Sequence, residues 1–386
     1  MESHVFKRLL ASVRQVSVEV AARHADEVDA HARFPHESIA ALRDLKVLSA
    51  AVPVSLGGFG CSIVQQGQLC AAISRGCSAS GMVLAMHFIQ VGCLARHGTA
   101  SAYFIDVMKR IVAHQTLIAS VTSEVGTSGD TRSSICAVQP DDKGFTLEKA
   151  ATTVSYGQHA DAALVTARRA PDAAAGDQVL VYLERDDFTF TPTSSWNTLG
   201  MRGTCSPGGL LSAQGPIERI LPGSFADASA QTMVPYSHIL WCALWWGIAS
   251  EAISRAAAFV RAAARREPGL VPATAATLAR ATAELQSMQY HWLHCAAEFD
   301  ALGDSREPLM TMGWALKMNN QKIQASEAAP RIVHQALQVT GVMGYKNDSA
   351  FSVGRHYRDS LSAALMISNE RVSAQSASLL LVLKDI

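Results

Sequence analysis

Over the first 116 residues apolar side chains recur every three or four positions, the spacing of one buried helix face. Residues 11–32 are rich in Ala, Val, Arg and Glu and lack Gly and Pro, which predicts a helix. Pro35 suits the first turn of another, with Ile39, Leu42 and Leu45 on one side. The stretch VPVSLGGFGC at 52–61 breaks this pattern, and helical spacing resumes over 64–73 and 81–97. From residue 117 the period shortens. The runs 117–122, 144–148, 152–155, 162–168 and 178–184 are short, β-branched and bounded by Gly, Asp or Pro, which predicts a small antiparallel β-domain. Beyond Met233 the helical period returns. Leu278, Leu285, Met288, Trp292, Cys295 and Phe299 form one apolar stripe, and 314–339 reads as a long helix with Pro330 inside it. The expected class is therefore α+β: helices over 1–116, a β-domain over 117–228 and a helical bundle over 229–386.

Composition narrows the function. Lys plus Arg and Asp plus Glu are both 33 in 386 residues, so there is no basic excess to neutralise a nucleic acid. The longest apolar run, 239–249, is too short to span a bilayer. The N-terminus MESHVFKRLLA has no secretory h-region, so a cytoplasmic protein is expected. The eight cysteines have neither CxxC nor metal-type spacing and read as reduced fillers, with no metal site. No GxGxxG or P-loop pattern occurs.

Six short motifs stand in a fixed order: VPVSLGGFG at 52–60, SEVGTSGD at 123–130, TVS at 153–155, LGMRGT at 199–204, QVTGVMGY at 338–345 and YRD at 357–359. In this order they resemble the acyl-CoA dehydrogenase family over nearly the whole chain. The resemblance implies a helical N-domain, a middle β-barrel domain and a C-terminal four-helix bundle. It also implies FAD, a homotetramer or homodimer, and removal of a proton and a hydride from an acyl thioester.

On that resemblance the flavin would meet Ser123, Ser128, Val154 and Ser155, while Arg265, Gln338, Gly341 and Gly344 would receive its ADP part from a neighbouring subunit. The physical demand is consistent: small hydroxyls and glycine backbone can approach a flavin edge or a pyrophosphate closely. Departures are informative. Ser123 replaces a Thr, the Gly–Ser order at 128–129 is reversed, Thr153 stands where the family has Trp, and Pro268 replaces a Phe after Arg265.

The catalytic base is the largest departure. Thioester dehydrogenation needs a carboxylate at the α-proton. The two positions where the family keeps it fall on Ile367 and near Ser237. Glu370, three residues beyond Ile367, is the substitute candidate, and His87 and His238 are further ones. Bulky Tyr236, Trp241, Trp245 and Trp246 on the helix that would line the acyl pocket favour a short or branched acyl group. The reading is an FAD-dependent enzyme for an acyl-CoA or acyl-carrier-protein substrate, passing electrons to a protein partner or to oxygen. The alternatives are a member without the base doing monooxygenase or lyase-type chemistry, and a flavin-free structural protein.

Overall fold

The computed structural model describes residues 1–384. The N-terminal helices are α1 (Ser3–Val16), α2 (Ala22–Ala30), α3 (His36–Asp44), α4 (Ile63–Gly76), α5 (Ser78–His97) and α6 (Ala102–His114). A π-helical turn at Ser17–Ala21 joins α1 to α2, so the helix expected at 11–32 is longer and bulged. A capping box closes the start of α4: the Ser62 hydroxyl accepts from Gln65 N, and the Gln65 amide accepts from Ser62 N. α5 is long and apolar enough to cross a membrane by length and composition, with mean hydropathy 1.4, but 89% of that stretch is buried inside the fold. It is a core helix.

The middle region holds two sheets. One has the order β1 (Ile118–Val121), β4 (Ala162–Arg168), β5 (Gln178–Glu184), and the other β2 (Gln139–Asp141), β3 (Gly144–Ala151), β7 (Gly209–Gly215), β6 (Phe188–Pro192). The domain is not wholly antiparallel, because β1 pairs parallel to β4 with Ile118 opposite Ala162. The run 152–155 is not a strand: β3 ends at Ala151, and the chain then turns, with Tyr156 at φ +43°. Between the sheets, Val121, Leu147, Val154, Val165, Val181 and Leu211 share one core.

After the short α7 (Phe225–Ala228) come α8 (Val234–Arg266), α9 (Ala275–Leu302), α10 (Met312–Thr340), α11 (Val342–Tyr345), α12 (Gly354–Leu361) and α13 (Asn369–Leu380). The predicted stripe on α9 is buried from Leu285 to Phe299, with Leu278 at its margin. α10 runs through Pro330 without a break and forgoes only the bond Pro cannot donate. Glu298 pairs with Lys317 and Glu284 with Arg331, so α9 and α10 are antiparallel.

Two of the six motifs meet in a knot of all three regions. The Met201 N–H donates to the buried Asp359 carboxylate at 2.6 Å. Arg358 donates to Leu199 O and to Asp29 of α2, and Arg202 donates to Asp29 O. Gly200 has no alternative, since a Cβ there would lie 2.2 Å from Arg358 O. LGMRGT and YRD are thus structural. Asp359→Ala leaves the buried Met201 N–H without its acceptor and takes a nearby negative charge from the buried Arg355, and is expected to cost about 3 kcal/mol. Asp359→Asn, which keeps the oxygen, should cost less, and chemical-denaturation midpoints of both variants measure the difference.

Candidate functional site

The chain leaves β3 at Ala151 and turns through residues 152–155. There the Ser123 hydroxyl donates to Thr153 O at 2.9 Å and accepts from Thr153 N at 3.2 Å. This clamp sets the 123–130 segment beside Thr153, whose side chain is exposed. The segment itself curls through left-handed residues Gly126, Ser128 and Gly129. Such a turn presents backbone groups outward.

From the C-terminal side α13 closes on the same turn. Arg371 donates to Ser128 O at 2.8 Å and to Gly129 O. The φ of +75° at Gly129 suits glycine, and a Cβ there would lie 2.6 Å from the guanidinium, which would have to move aside. Glu370 precedes Arg371 in the first turn of α13, exposed and favourably placed at a helix N-terminus. Behind it, Lys322 of α10 donates to Ile367 O and Asn369 Oδ1, both at 2.6 Å. The structure thus brings Ser123, Ser128, Thr153 and the 367–371 segment to one edge of the middle domain.

Ser155 lies one step along. Its hydroxyl accepts from Ser206 at 3.0 Å, and Ser206 is in turn within 2.8 Å of Thr204 Oγ1. An open cleft of 620 Å³ adjoins this chain of hydroxyls, lined by Phe34, His159, Trp196 and Cys205 among others. Phe34 and His159 stack there with ring centroids 4.5 Å apart. No spacing pattern marked these residues, because they come from four separate segments.

Two candidates are placed otherwise than expected. His87 is fully buried with both nitrogens engaged: Nδ1 accepts from Ile118 N at 3.1 Å and Nε2 donates to Leu48 O at 2.7 Å. Burial lowers its pKa to about 4. It pins α5 to β1 and has no free nitrogen for catalysis. Val154 points into the core between the sheets, and its N–H is spent on Pro207 O, so its side chain meets no ligand.

His238 is buried beside Ser237, 3.0 Å from the hydroxyl, and burial lowers its pKa to about 4. Its ring stacks on Trp241, followed by Trp245, which confirms an aromatic spine on α8. Glu124 of the SEVGTSGD motif is buried and accepts from Ile135 N, Cys136 N and the Lys149 ammonium, which ties it into the β-domain.

The remaining candidates lie apart from this edge. Because α9 reverses direction between its neighbours, the end of α8 with Arg265 shares one pole of the bundle with the end of α10. Gln338 and Gly341 are exposed there. Gly341, at φ +56°, ends α10. Gly344 is packed so closely that a Cβ would lie 1.9 Å from Thr340 Oγ1. Val342, Met343 and Tyr345 are exposed alongside.

Residues 5–102 match the acyl-CoA dehydrogenase N-terminal domain and residues 228–366 the acyl-CoA dehydrogenase C-terminal domain. The chain belongs to the acyl-CoA dehydrogenase family. The short-chain specific acyl-CoA dehydrogenase of Sus scrofa mitochondria is 26% identical over 356 residues, covering 87% of this chain and 80% of that protein. Among solved structures, butyryl-CoA dehydrogenase of Megasphaera elsdenii superposes with TM-score 0.80 at 19% identity, covering 99% of both chains. FMN-bound TdsC of Paenibacillus sp. A11-2 does so with TM-score 0.81 at 18% identity, covering 97% of both. These likenesses account for the helix–sheet–helix order. At such identities the solved structures show the shared fold alone.

Proposed function

We propose that this acyl-CoA dehydrogenase family member is an FAD-dependent oxidoreductase whose flavin edge is the junction of the 123–130 turn with residues 153–155 and 367–371. The observation that carries the reading is the convergence itself: two hydroxyls, a left-handed turn and an arginine from three distant segments meet where nothing in the core requires them. These groups fit a flavin, since Ser123 and Ser155 offer small hydroxyls and the turn offers close backbone approach. When bound, the flavin supplies the hydride acceptor. The protein's own part is to orient the ring edge and to hold the acyl thioester against it. Tyr236, Trp241 and Trp245 are buried in the core, which limits the length of an acyl chain between α5 and α8 and favours a short or branched one. A purified yellow protein whose absorbance bleaches anaerobically with a short acyl-CoA supports this function. A colourless protein that takes up no FAD overturns it.

The candidate FAD contacts fall in two separate places, the middle-domain edge and the bundle pole. One cofactor reaches both only if a second subunit supplies the pole, so a closed dimer or tetramer is expected by light scattering. A monomer with full flavin occupancy contradicts that assembly. Ser155→Ala removes one donor at the ring edge and is expected to shift the flavin spectrum and slow reduction about 100-fold. Stopped-flow reduction of both proteins measures it.

A second reading has its own support. By the family resemblance the two base positions fall on Ile367 and near Ser237, neither of them a carboxylate, and Ser237 is bonded to Val234 O and His238. The similarity to TdsC, described as a dibenzothiophene monooxygenase, places oxygen chemistry within reach of this fold. Under this reading reduced flavin is consumed with oxygen, and a hydroxylated product appears in place of an enoyl thioester.

A further inference from the structure

Lys322 is fully buried, yet its ammonium pairs with no carboxylate among the described residues. Its acceptors are neutral, Ile367 O and Asn369 Oδ1, and Ser326 Oγ donates to the same Asn369 oxygen at 3.1 Å. A buried charge without a counter-charge is costly to fold, and an apolar side chain of similar length would fill the space more cheaply. The cost is visible in the group itself: burial draws the Lys322 pKa down to about 8. Stability alone therefore gives no reason for a lysine here.

What the lysine holds is unusual. Ile367 sits at φ +47°, a left-handed conformation that opposes a β-branched side chain. Backbone strain of this kind persists only where surrounding contacts enforce it. Two residues further on, Ser368–Asn369 starts α13, and Arg371 in its first turn grips Ser128 O and Gly129 O. The contacts form an unbroken series from α10 to the 126–130 turn.

We propose that Lys322 is a positioning residue for the flavin edge: by clamping Ile367 O and Asn369 it holds the 367–369 turn in its strained form and so sets Arg371 on the 128–129 turn. The inference rests on the proposed flavin site for its consequence, while the clamp itself is independent of any ligand.

The experiment separates the two. Lys322→Met and Lys322→Met/Ile367→Gly are compared with wild type, first by hydrogen exchange of the flavin-free protein. In Lys322→Met, amides of 126–130 and 367–372 should exchange at least tenfold faster, with the rest of the chain unchanged. In the double variant, where glycine adopts the left-handed form without strain, most of that protection should return. FAD titration by fluorescence then reads the consequence: affinity falls at least tenfold in Lys322→Met, the bound-flavin spectrum shifts, and both recover in the double variant. Ile367→Gly alone, which retains the clamp, should raise Tm by about 1–2 °C and keep wild-type exchange. Unchanged exchange in Lys322→Met, or no recovery in the double variant, overturns the clamp. Wild type that binds no FAD, with the exchange pattern as expected, leaves the clamp standing and removes the flavin site. If Lys322→Met does not fold, an Ile367→Gly protein with no gain in Tm overturns the strain on which the clamp depends.

Discussion

Between pH 7 and pH 5 the protein is expected to lose about 2 kcal/mol of stability for each histidine held neutral by burial at a pKa of about 4. Several histidines carry the effect, among them His97, lowered to about 4 by burial and by Arg306 and Arg96. His87 and His238 are buried in the helical core with pKa values of about 4, and burial together with Arg355 and Arg255 holds His356 well below the ordinary value. In the unfolded chain each binds a proton near pH 6.5. The unfolded state therefore binds more protons than the native one as the pH falls below that value. Stability is complete above about pH 6.5 and is lost toward pH 4, each such group adding a slope approaching ~1.4 kcal/mol per pH unit. Summed over these groups, the loss is comparable with the whole stability of a typical domain. Denaturation midpoints at pH 7, 6 and 5 measure it. His356 makes the sharpest control, because neither ring nitrogen has a hydrogen-bond partner among the described residues. His356→Leu should remove part of the dependence while leaving the neutral-pH fold in place. A midpoint that stays level from pH 7 to 5 would contradict the assignment.

Ile367→Glu is expected to raise anaerobic dehydrogenation of a short acyl-CoA by about 100-fold or more, the contribution of one well-placed general base. The wild-type protein should turn over saturated acyl thioesters slowly, because Ile367 and Ser237 offer no carboxylate. Glu370 does not fill the gap in this structure. It is exposed, has no hydrogen-bond partner among the described residues, and sits on a helix turn whose direction is set by Arg371. Glu370→Gln should therefore change the wild-type rate less than twofold. Stopped-flow bleaching of bound flavin by butyryl-CoA in the three proteins decides the matter. Fast wild-type bleaching abolished by Glu370→Gln would return the role to Glu370. No bleaching in any of them, with flavin bound, favours the monooxygenase reading.

Much of this architecture was legible in periodicity, and the exceptions have physical causes. β4 and β5 lie where Val- and Leu-rich runs placed them, since both are buried on two faces. β7, with the sequence GLLSAQG, escaped because Gly, Ser, Ala and Gln have little β preference, and only pairing with β3 and β6 makes it a strand. The parallel pairing of β1 with β4 is a long-range contact that no local pattern encodes. At the site, the 123–130 and 153–155 motifs lie together at one edge of the middle domain, but the pattern gave no orientation for the second. TVS at 153–155 has β-like composition, yet it turns inward at Val154 and outward at Thr153. A lone His87 on an apolar helix reads more often as a satisfied core residue than as a catalyst, and the fold supplied the partners, Leu48 O and the Ile118 N–H. Lys322 carried no signal at all, since its importance depends on the backbone of a residue 45 positions away.

The knot of Asp29, Leu199–Arg202 and Arg358–Asp359 also sets an order of events during synthesis. Its partners are separated by 158 to 329 positions in the chain. While the ribosome is still making α10, the N-terminal helices and the β-domain have no Arg358 or Asp359 to join them. Domains emerging from the ribosome commonly fold in turn, N-terminal first. Here the first two units can each collapse early and already meet through His87 with Ile118 and Arg202 with Asp29 O, but the ion pair and the buried carboxylate that complete the knot wait for residues 358–359. Until those residues are made, the Asp29 carboxylate and the Met201 N–H lack their native partners.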